Sequence, residues 1–365
     1  MRKISLLILI VVVFVTVYFA QKISDGRSQE TNSQEIRSTL KTKENITGIK
    51  ESKQAKSFKE VIFIPYWNIP IKEKVKNYDE LLYFGIAPDI NGQVMFDEGY
   101  SGLKKFADKE YKNQKKTLVI RMLNTNINNK ILENEEYQNA FINASLNISK
   151  EYSFQNLAVD LEFSGLPFAN VKTAISEFMT EFSRLAKKEG YGFKVIIYGD
   201  LFYRGRPYDL SIISSRSDEI LVMAYDFNKP RGEPGPNFPL SGGQKYSYDF
   251  KKMTQDFLRF VPADKLTIIF GMYGYDWTLG PQGLPLKIAN AIPLHEIESK
   301  IIASCLNSCE VVTDPNSFEK SVKYIDEAGY RHILWYEDFE SVAKKKEFLK
   351  EQGIGHYGYW VWGYF

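Results

Sequence analysis

Eight short apolar runs, separated by longer amphipathic stretches, organise this chain from residue 61 onwards. The runs are Val61–Trp67, Leu81–Pro88, Thr117–Leu123, Asn156–Glu162, Phe193–Tyr198, Glu219–Tyr225, Lys265–Met272 and His356–Trp362. Helical patterns, such as those of Val171–Glu189 and Tyr246–Val261, lie between them. Near-continuous apolar strands that alternate with helices are typical of a parallel sheet covered by helices. Eight such units over roughly 300 residues predict an α/β fold of the (β/α)8 TIM-barrel type.

The stretch between the seventh and eighth runs is too long for a single helix. Residues 283–333 contain short runs of their own, including Glu310–Thr313 and Tyr330–Leu334, and predict a small α+β insertion. In a barrel, an insertion on the C-terminal face forms one wall of a cleft. The first run is followed by no glycine-rich phosphate loop, which argues against a dinucleotide-binding open sheet.

The first residues indicate export. Arg2 and Lys3 precede an uninterrupted apolar run, Ile4–Ala20, which predicts a membrane anchor or signal peptide over residues 1–22. The bulky Tyr18 disfavours cleavage after Ala20, so an uncleaved anchor is the favoured interpretation. The positive-inside rule then places the rest of the chain outside the cytoplasm, in the cell envelope or secreted. Residues 23–57 are polar and without periodicity, and predict a flexible linker before the folded domain of residues 58–365.

Composition excludes several classes of partner. The 47 Lys and Arg residues are dispersed among 45 Asp and Glu residues, so no basic stripe for nucleic acid is present. His295, His332 and His356 have no metal-ligand spacing, and Cys305 and Cys309 are too few for a closed zinc site, although they permit a local disulfide. We therefore expect no metal, no cofactor and a monomeric protein.

Two carboxylates close the fourth run. Asp160 and Glu162 are two residues apart, so in a strand they point to the same side. Burial and mutual repulsion would raise at least one pKa, as a general acid near neutral pH requires. The alternative is a strand end whose acids meet solvent or a neighbouring lysine.

Polar and aromatic residues also follow the later runs, where the catalytic groups of barrel enzymes lie. The residues are Met223, Tyr225 and Asp226 at the end of the sixth run, Tyr273, Tyr275, Asp276 and Trp277 after the seventh, and Trp362 at the end of the eighth. Aromatic rings stack on sugar faces and carboxylates transfer protons, so this combination predicts a sugar-binding cleft. Tyr225 and Trp362 could equally fill the core, and Trp67, Trp335 and Trp360 are interpreted as packing or outer-subsite residues.

Four segments together resemble glycoside hydrolase family 18, the chitinase-like barrels. They are Asp160-Leu-Glu162, Met223-Ala-Tyr-Asp226, Tyr273-Gly-Tyr-Asp-Trp277 and Gly358-Tyr-Trp-Val-Trp362. The third segment and Trp335-Tyr-Glu-Asp338 are most similar to the bacterial branch that resembles spore cortex-lytic N-acetylglucosaminidases.

The resemblance implies cleavage of β-1,4 bonds in an N-acetylglucosamine-containing polysaccharide, peptidoglycan or chitin-like, with retention and without an enzyme nucleophile. Glu162 would protonate the glycosidic oxygen and then activate water. Asp160 would hold the substrate's acetamide N–H, and Tyr225 would donate to the acetamide oxygen. Substrate-binding roles would fall to Met223, Asp226, Tyr273 and Trp277, with Trp362 as the floor of the cleaved subsite.

The chain also departs from the family's acid motif, Asp-x-x-Asp-x-Asp-x-Glu. Gln155 and Ala158 stand at its first two acidic positions. Ala158 cannot share a proton with Asp160, so we expect an altered pH profile without loss of function. Arg121-Met-Leu-Asn124 replaces the family's small turn after the third strand. A catalytically weak or inactive carbohydrate-binding relative is the alternative function, and a structural barrel with a partner-binding insertion is a third.

Overall fold

Eight parallel strands close into a barrel in the computed structural model, which describes residues 57–109, 111, 113–163, 168–242, 245–304 and 309–365. The strands are β1 (Lys59–Pro65), β2 (Glu80–Ile86), β3 (Lys115–Met122), β4 (Asn156–Leu161), β5 (Gly192–Tyr198), β6 (Glu219–Met223), β7 (Leu266–Gly271) and β13 (His356–Trp360). Around the barrel their order is β1-β13-β7-β6-β5-β4-β3-β2. The predicted (β/α)8 barrel is confirmed, and each predicted apolar run overlaps one of its strands.

Helices cover the outside of the barrel. They are Glu98–Ala107, Thr125–Leu132, Glu135–Glu151, Ala169–Lys188, Leu210–Arg216, Phe250–Leu258 and Phe339–Glu351, with 3-10 turns at Lys72–Lys74 and Ala263–Lys265. In most of these helices, an Asp or Asn side chain accepts a hydrogen bond from a backbone N–H group of the first turn. Asn134 accepts from the Tyr137 N–H, and Asp249 accepts from the Lys252 N–H. Such caps satisfy donors that the helix itself cannot pair.

The predicted anchor or signal peptide and nearly all of the predicted linker lie outside the described residues, in 1–56. In the part of the chain that the structure describes, no helix is both long and apolar enough to cross a bilayer.

Side chains alternate between two cores along each barrel strand. Val61 and Phe63 of β1 point into the barrel, where they pack with residues such as Ala158 of β4. Ile62 and Ile64 point outward against the helices. Because Ala158 faces inward, the period of two directs Asp160 and Glu162 to the same side at the carboxyl end of β4.

An antiparallel sheet is inserted between β7 and β13. Its strands are β8 (Tyr273–Leu279), β9 (Asn290–Pro293), β10 (Glu310–Thr313), β11 (Lys320–Ile325) and β12 (Arg331–Tyr336), in the order β10-β11-β12-β8-β9. Helical turns over Leu294–Glu296 and Ile297–Ile302 follow β9. The insertion is confirmed, but its sheet begins at Tyr273 instead of 283 because the Tyr-Gly-Tyr-Asp-Trp segment is itself a strand. Cys309 is disulfide-bonded, and Cys305 lies outside the described residues.

Buried charges close the opposite, N-terminal end of the barrel. The Lys194 ammonium lies 2.5 Å from a carboxylate oxygen of Glu80 and 2.7 Å from one of Glu219. Lys59 also pairs with Glu219, at 2.5 Å. Burial alone would raise the pKa of Glu219, but the charges of Lys194 and Lys59 outweigh it and lower that pKa to about 2.

Candidate active site

A cavity of about 560 Å³ opens at the carboxyl end of the barrel strands. Its lining combines carboxylates, cations and aromatic rings: Phe84, Leu123, Asp160, Glu162, Tyr198, Arg206, Met223, Tyr225, Asp226, Lys229, Tyr273, Tyr275, Ala291, Trp360 and Tyr364. Concave sites with a few converging polar groups are the usual binding sites of barrel enzymes.

The backbone around Glu162 is fixed by hydrogen bonds to the neighbouring strand and helix. The Glu162 N–H donates to the Met122 carbonyl at 2.8 Å. The Asn128 side-chain amide donates to the carbonyls of both Met122 and Glu162, each at 2.8 Å. Glu162 therefore leaves β4 in a defined direction, towards the cavity.

Both carboxyl groups at the end of β4 have raised pKa values. Burial, followed by the charge of Glu162, raises the pKa of Asp160 well above its usual range. Burial also raises the pKa of Glu162, although the Tyr198 hydroxyl, which donates to Glu162 Oε2 at 2.8 Å, and the charge of Lys229 act in the opposite direction. A carboxyl group that keeps its proton towards neutral pH can act as a general acid.

Asp160 has an unsatisfied oxygen. Only 4% of the residue is exposed, and its Oδ1 has no hydrogen-bond partner among the described residues. A buried polar atom without a partner costs about 1–3 kcal/mol. A ligand that supplies a donor would recover part of that cost, so Asp160 is suited to hold an N–H group.

The loop after β6 presents Tyr225 and Asp226. Asp226 adopts a left-handed backbone conformation with φ of 59°, and its N–H donates to Asn237 Oδ1 at 2.8 Å. Its carboxylate accepts from the hydroxyl of Tyr275 at 2.8 Å and from that of Tyr273. The strained backbone and the two tyrosines hold the carboxylate at one edge of the cavity.

A tryptophan forms one wall of the cavity, and it is Trp360. Its ring lies 4.9 Å from Phe84 and stacks at 6.4 Å against Tyr225, measured between ring centroids. Trp362 packs against the outer core instead. β13 ends at Trp360, so the alternation that governs the strand does not extend to position 362.

Trp277 also lies away from the cavity lining. It is fully buried in β8, and its indole N–H donates to the Gly232 carbonyl at 3.1 Å. The neighbouring Asp276 accepts from Tyr324 at 2.9 Å and lies 2.9 Å from His332 Nδ1. Of the residues predicted for the site, the structure brings together Asp160, Glu162, Met223, Tyr225, Asp226 and Tyr273, and leaves Trp277 and Trp362 outside.

Several lining residues were not selected from the sequence. Tyr198 ends the fifth apolar run, so the strand-end rule that selected Glu162 could have found it. Arg206 and Lys229 lie in loops well beyond their strands, where no periodic signal marks them. Within the described ranges, no group of three or more His, Cys, Asp or Glu side chains could hold a metal ion.

Comparison with known proteins relates this geometry to a family. The family described as Glycosyl hydrolases family 18 matches residues 15–364. A cortical fragment-lytic enzyme of Bacillus anthracis is 28% identical over 244 residues, which are 64% of this chain and 52% of that protein. The chain thus spans about half the length of this curated relative.

Solved structures share the fold. The spore cortex-lytic enzyme of Bacillus cereus superimposes with a TM-score of 0.68 at 24% identity, covering 85% of this chain and 72% of that one. A class V chitinase of Nicotiana tobaccum superimposes with a TM-score of 0.73 at 16% identity, covering 84% of this chain and 97% of that one. Because the family match extends over nearly the whole chain, and the resemblance expected from the sequence is thereby confirmed, this chain belongs to glycosyl hydrolase family 18.

Proposed function

We propose that the protein hydrolyses β-1,4 bonds of N-acetylglucosamine-containing glycans, peptidoglycan or chitin-like, with retention of configuration. The observation that carries the proposal is the pair Asp160 and Glu162. Both carboxyl groups have raised pKa values and face one cavity with Tyr225 and Trp360. The names of the relatives, cortical fragment-lytic enzymes and a chitinase, support the same class of substrate.

In the first step, a sugar packs against Trp360 and the protonated Glu162 donates to the glycosidic oxygen. The carbonyl oxygen of the sugar's own acetamide attacks the anomeric carbon as the glycosidic bond breaks. The leaving sugar departs with the proton from Glu162. Asp160 accepts the acetamide N–H through its free oxygen, and Tyr225 orients the acetamide by donating to its carbonyl oxygen.

In the second step, the Glu162 carboxylate takes a proton from water as the water attacks the anomeric carbon. The bond between the acetamide oxygen and that carbon breaks, which restores the acetamide and returns Glu162 to its protonated form. Two inversions at one carbon give net retention. Neither step needs a nucleophile from the protein. In the cavity, Asp226 is held by two tyrosine hydroxyls and Asp160 is buried, so neither carboxylate has to attack the sugar.

Replacing Glu162 by Gln tests the proposal. Glutamine keeps the size of the side chain but cannot transfer a proton, so release of reducing ends from N-acetylglucosamine oligosaccharides should fall by about a hundredfold or more. Glu177→Gln, on the exposed side of a helix, is the matched control and should keep wild-type turnover. Unchanged turnover in Glu162→Gln would contradict the proposal.

A second function, carbohydrate binding with weak or no catalysis, is favoured by one observation. Ala158 leaves the neighbouring Asp160 with an unpaired oxygen, where the family's motif has an acid. Chitooligosaccharide binding measured by calorimetry, with no product by mass spectrometry after days, would support this function over hydrolysis.

We further propose that residues 1–22 direct the protein out of the cytoplasm and retain it at the membrane. Arg2 and Lys3 before the apolar run Ile4–Ala20 support this. Full-length protein should pellet with membranes after an alkaline carbonate wash and keep its original N-terminus. Recovery in the medium with a new N-terminus near residue 21 would instead indicate a cleaved signal peptide.

A further inference from the structure

The cavity has two chemically different halves. Glu162 follows β4 and Trp360 ends β13, and three strands separate β4 from β13 on either side of the barrel. On one side, Phe84 of β2 and Leu123 after β3 line the cavity. On the other, the loops after β5 and β6 contribute two cations, Arg206 and Lys229, and the hydrogen-bonded carboxylate of Asp226. A glycan that lies between Trp360 and Glu162 therefore has one neighbouring sugar towards the apolar half and the other towards the cationic half.

Among the described residues, the Lys229 ammonium is in direct contact with no carboxylate. No hydrogen bond or ion pair joins its side chain to any described residue, although the charges of Asp226 and Asp200 act on it. Burial is the main influence and lowers its pKa. A half-buried cation without a carboxylate partner is costly, and an anionic ligand would offset that cost.

The carboxylates near Lys229 already have donors. Asp226 accepts from the hydroxyls of Tyr273 and Tyr275. Asp200 accepts from Arg206 Nε at 2.5 Å and from Arg204. Two arginines and two aspartates thus surround Lys229, and both aspartates already accept hydrogen bonds from other residues. The lysine is the unmatched charge of this group, so an incoming anion can bind it without rearrangement within the protein.

The insertion holds Lys229 in place. The Lys229 carbonyl accepts from the Gly232 N–H at 2.8 Å, which closes a turn. The Gly232 carbonyl accepts from the buried Trp277 indole at 3.1 Å, and the Pro230 carbonyl accepts from the Ala289 N–H at 2.9 Å. Because these bonds fix the backbone of the loop from both sides, a ligand that binds Lys229 does not have to order the loop.

We propose that Lys229 is a specificity-determining residue that binds a carboxylate on the sugar next to the cleaved bond. The favoured substrate is then a glycan in which N-acetylglucosamine alternates with an acidic sugar, such as one bearing a lactyl ether, and not a neutral homopolymer. Arg206, stacked 3.5 Å over the Tyr198 ring, supplies a second positive charge behind this contact. The inference rests on the proposed hydrolytic function and specifies its substrate.

Two glycans that differ only in charge test this role. One is peptide-free alternating glycan with free lactyl carboxylates, and the other is the same glycan with those carboxylates converted to neutral amides. One charge-assisted contact corresponds to about a tenfold preference in kcat/KM for the acidic glycan. The preference should decline with added salt. It should disappear in Lys229→Met, persist in Lys229→Arg, and persist in Lys188→Met, a control on the exposed side of a helix.

The outcomes separate this inference from the proposed function. Equal kcat/KM for the two glycans in the wild type, or an equal loss on both in Lys229→Met, would overturn the role of Lys229. If the wild type cleaves neither glycan, the hydrolytic proposal fails. The role of Lys229 is then tested by calorimetry, which measures binding of the same two glycans. About tenfold tighter binding of the acidic glycan to Glu162→Gln, lost in the double variant with Lys229→Met, would support the role, and equal binding would refute it.

Discussion

Tyr198 adjusts the proton affinity of Glu162 through a direct hydrogen bond. Its hydroxyl donates to Glu162 Oε2 at 2.8 Å, and a hydrogen bond to the ionised form lowers the pKa that burial raises. The same carboxyl group must be protonated in the first proposed step and ionised in the second. The hydroxyl therefore stabilises the form of Glu162 that activates water.

Tyr198→Phe should move the alkaline limb of the kcat/KM profile to higher pH. Without the hydroxyl, Glu162 binds its proton more tightly and remains a general acid to higher pH, while kcat falls several-fold because the carboxylate is a less favourable state. The profile is measured as release of reducing ends across pH. Tyr203→Phe, an exposed tyrosine outside the cavity lining, is the control, and an unshifted limb in Tyr198→Phe would contradict this assignment.

The insertion supports the barrel's own loops through Glu319. The carboxylate of this buried residue accepts from the backbone N–H groups of Asn237 and Phe238 at 2.5 and 2.8 Å, and from Lys345 at 2.9 Å. Asn237 in turn fixes the backbone of Asp226. One side chain before β11 thus connects the last described helix to the loop that carries part of the candidate site.

Glu319→Gln should lower the free energy of unfolding by about 3–5 kcal/mol, because it removes a charge from a buried pair and turns an amide donor towards backbone N–H groups. Urea unfolding followed by circular dichroism measures this. Glu340→Gln removes an exposed partner of Lys320 and should change the free energy by less than about 1 kcal/mol. A similar small change in both variants would show that Glu319 does not support the loop.

For the whole molecule, two groups of buried charges set opposite limits of stability with pH. Burial raises the pKa of Glu337 to about 8 despite the charge of Lys345, so the folded state binds a proton that the unfolded chain releases near its ordinary value. The contribution of Glu337 to the free energy of unfolding is complete below the ordinary pKa of glutamate and is lost as pH rises to about 8. Glu219, with its pKa lowered to about 2, stabilises the folded state at pH values above the ordinary glutamate pKa. This stabilisation is lost as pH falls towards 2.

The free energy of unfolding should therefore decrease in both directions from a mildly acidic maximum. Glu337→Gln should flatten the decrease between the ordinary glutamate pKa and pH 8, because glutamine does not titrate. Lys194→Met should instead remove the buried cation that Glu80 and Glu219 share, leaving Lys59 to compensate both carboxylates. The loss should cost about 3–5 kcal/mol at neutral pH. Denaturant titrations at a series of pH values measure both effects, and identical pH slopes for wild type and Glu337→Gln would disprove the first.

What the sequence could predict follows from the regularity of the barrel. Period two directs Asp160 and Glu162 to one side, and the apolar runs place them at a strand end, so the pair is accessible to sequence reasoning. Trp360 and Trp362 differ by two residues and look equivalent until the end of β13 is known. Lys229 depends on a turn whose position is fixed by contacts with Ala289 and Trp277, far away in the sequence, and no local pattern encodes such contacts.

Closure of the barrel by β13 also determines when the candidate site can form. β13 pairs in parallel with β1, from Lys59 opposite His356 to Ile62 opposite Tyr359, and with β7 on its other side. A ribosome that has reached residue 355 has already made Asp160, Glu162 and Tyr225, but the wall formed by Trp360 and the seam between β1 and β7 are still missing. The candidate site is therefore completed only when residues near 360 pair with β1, a strand made about 300 residues earlier.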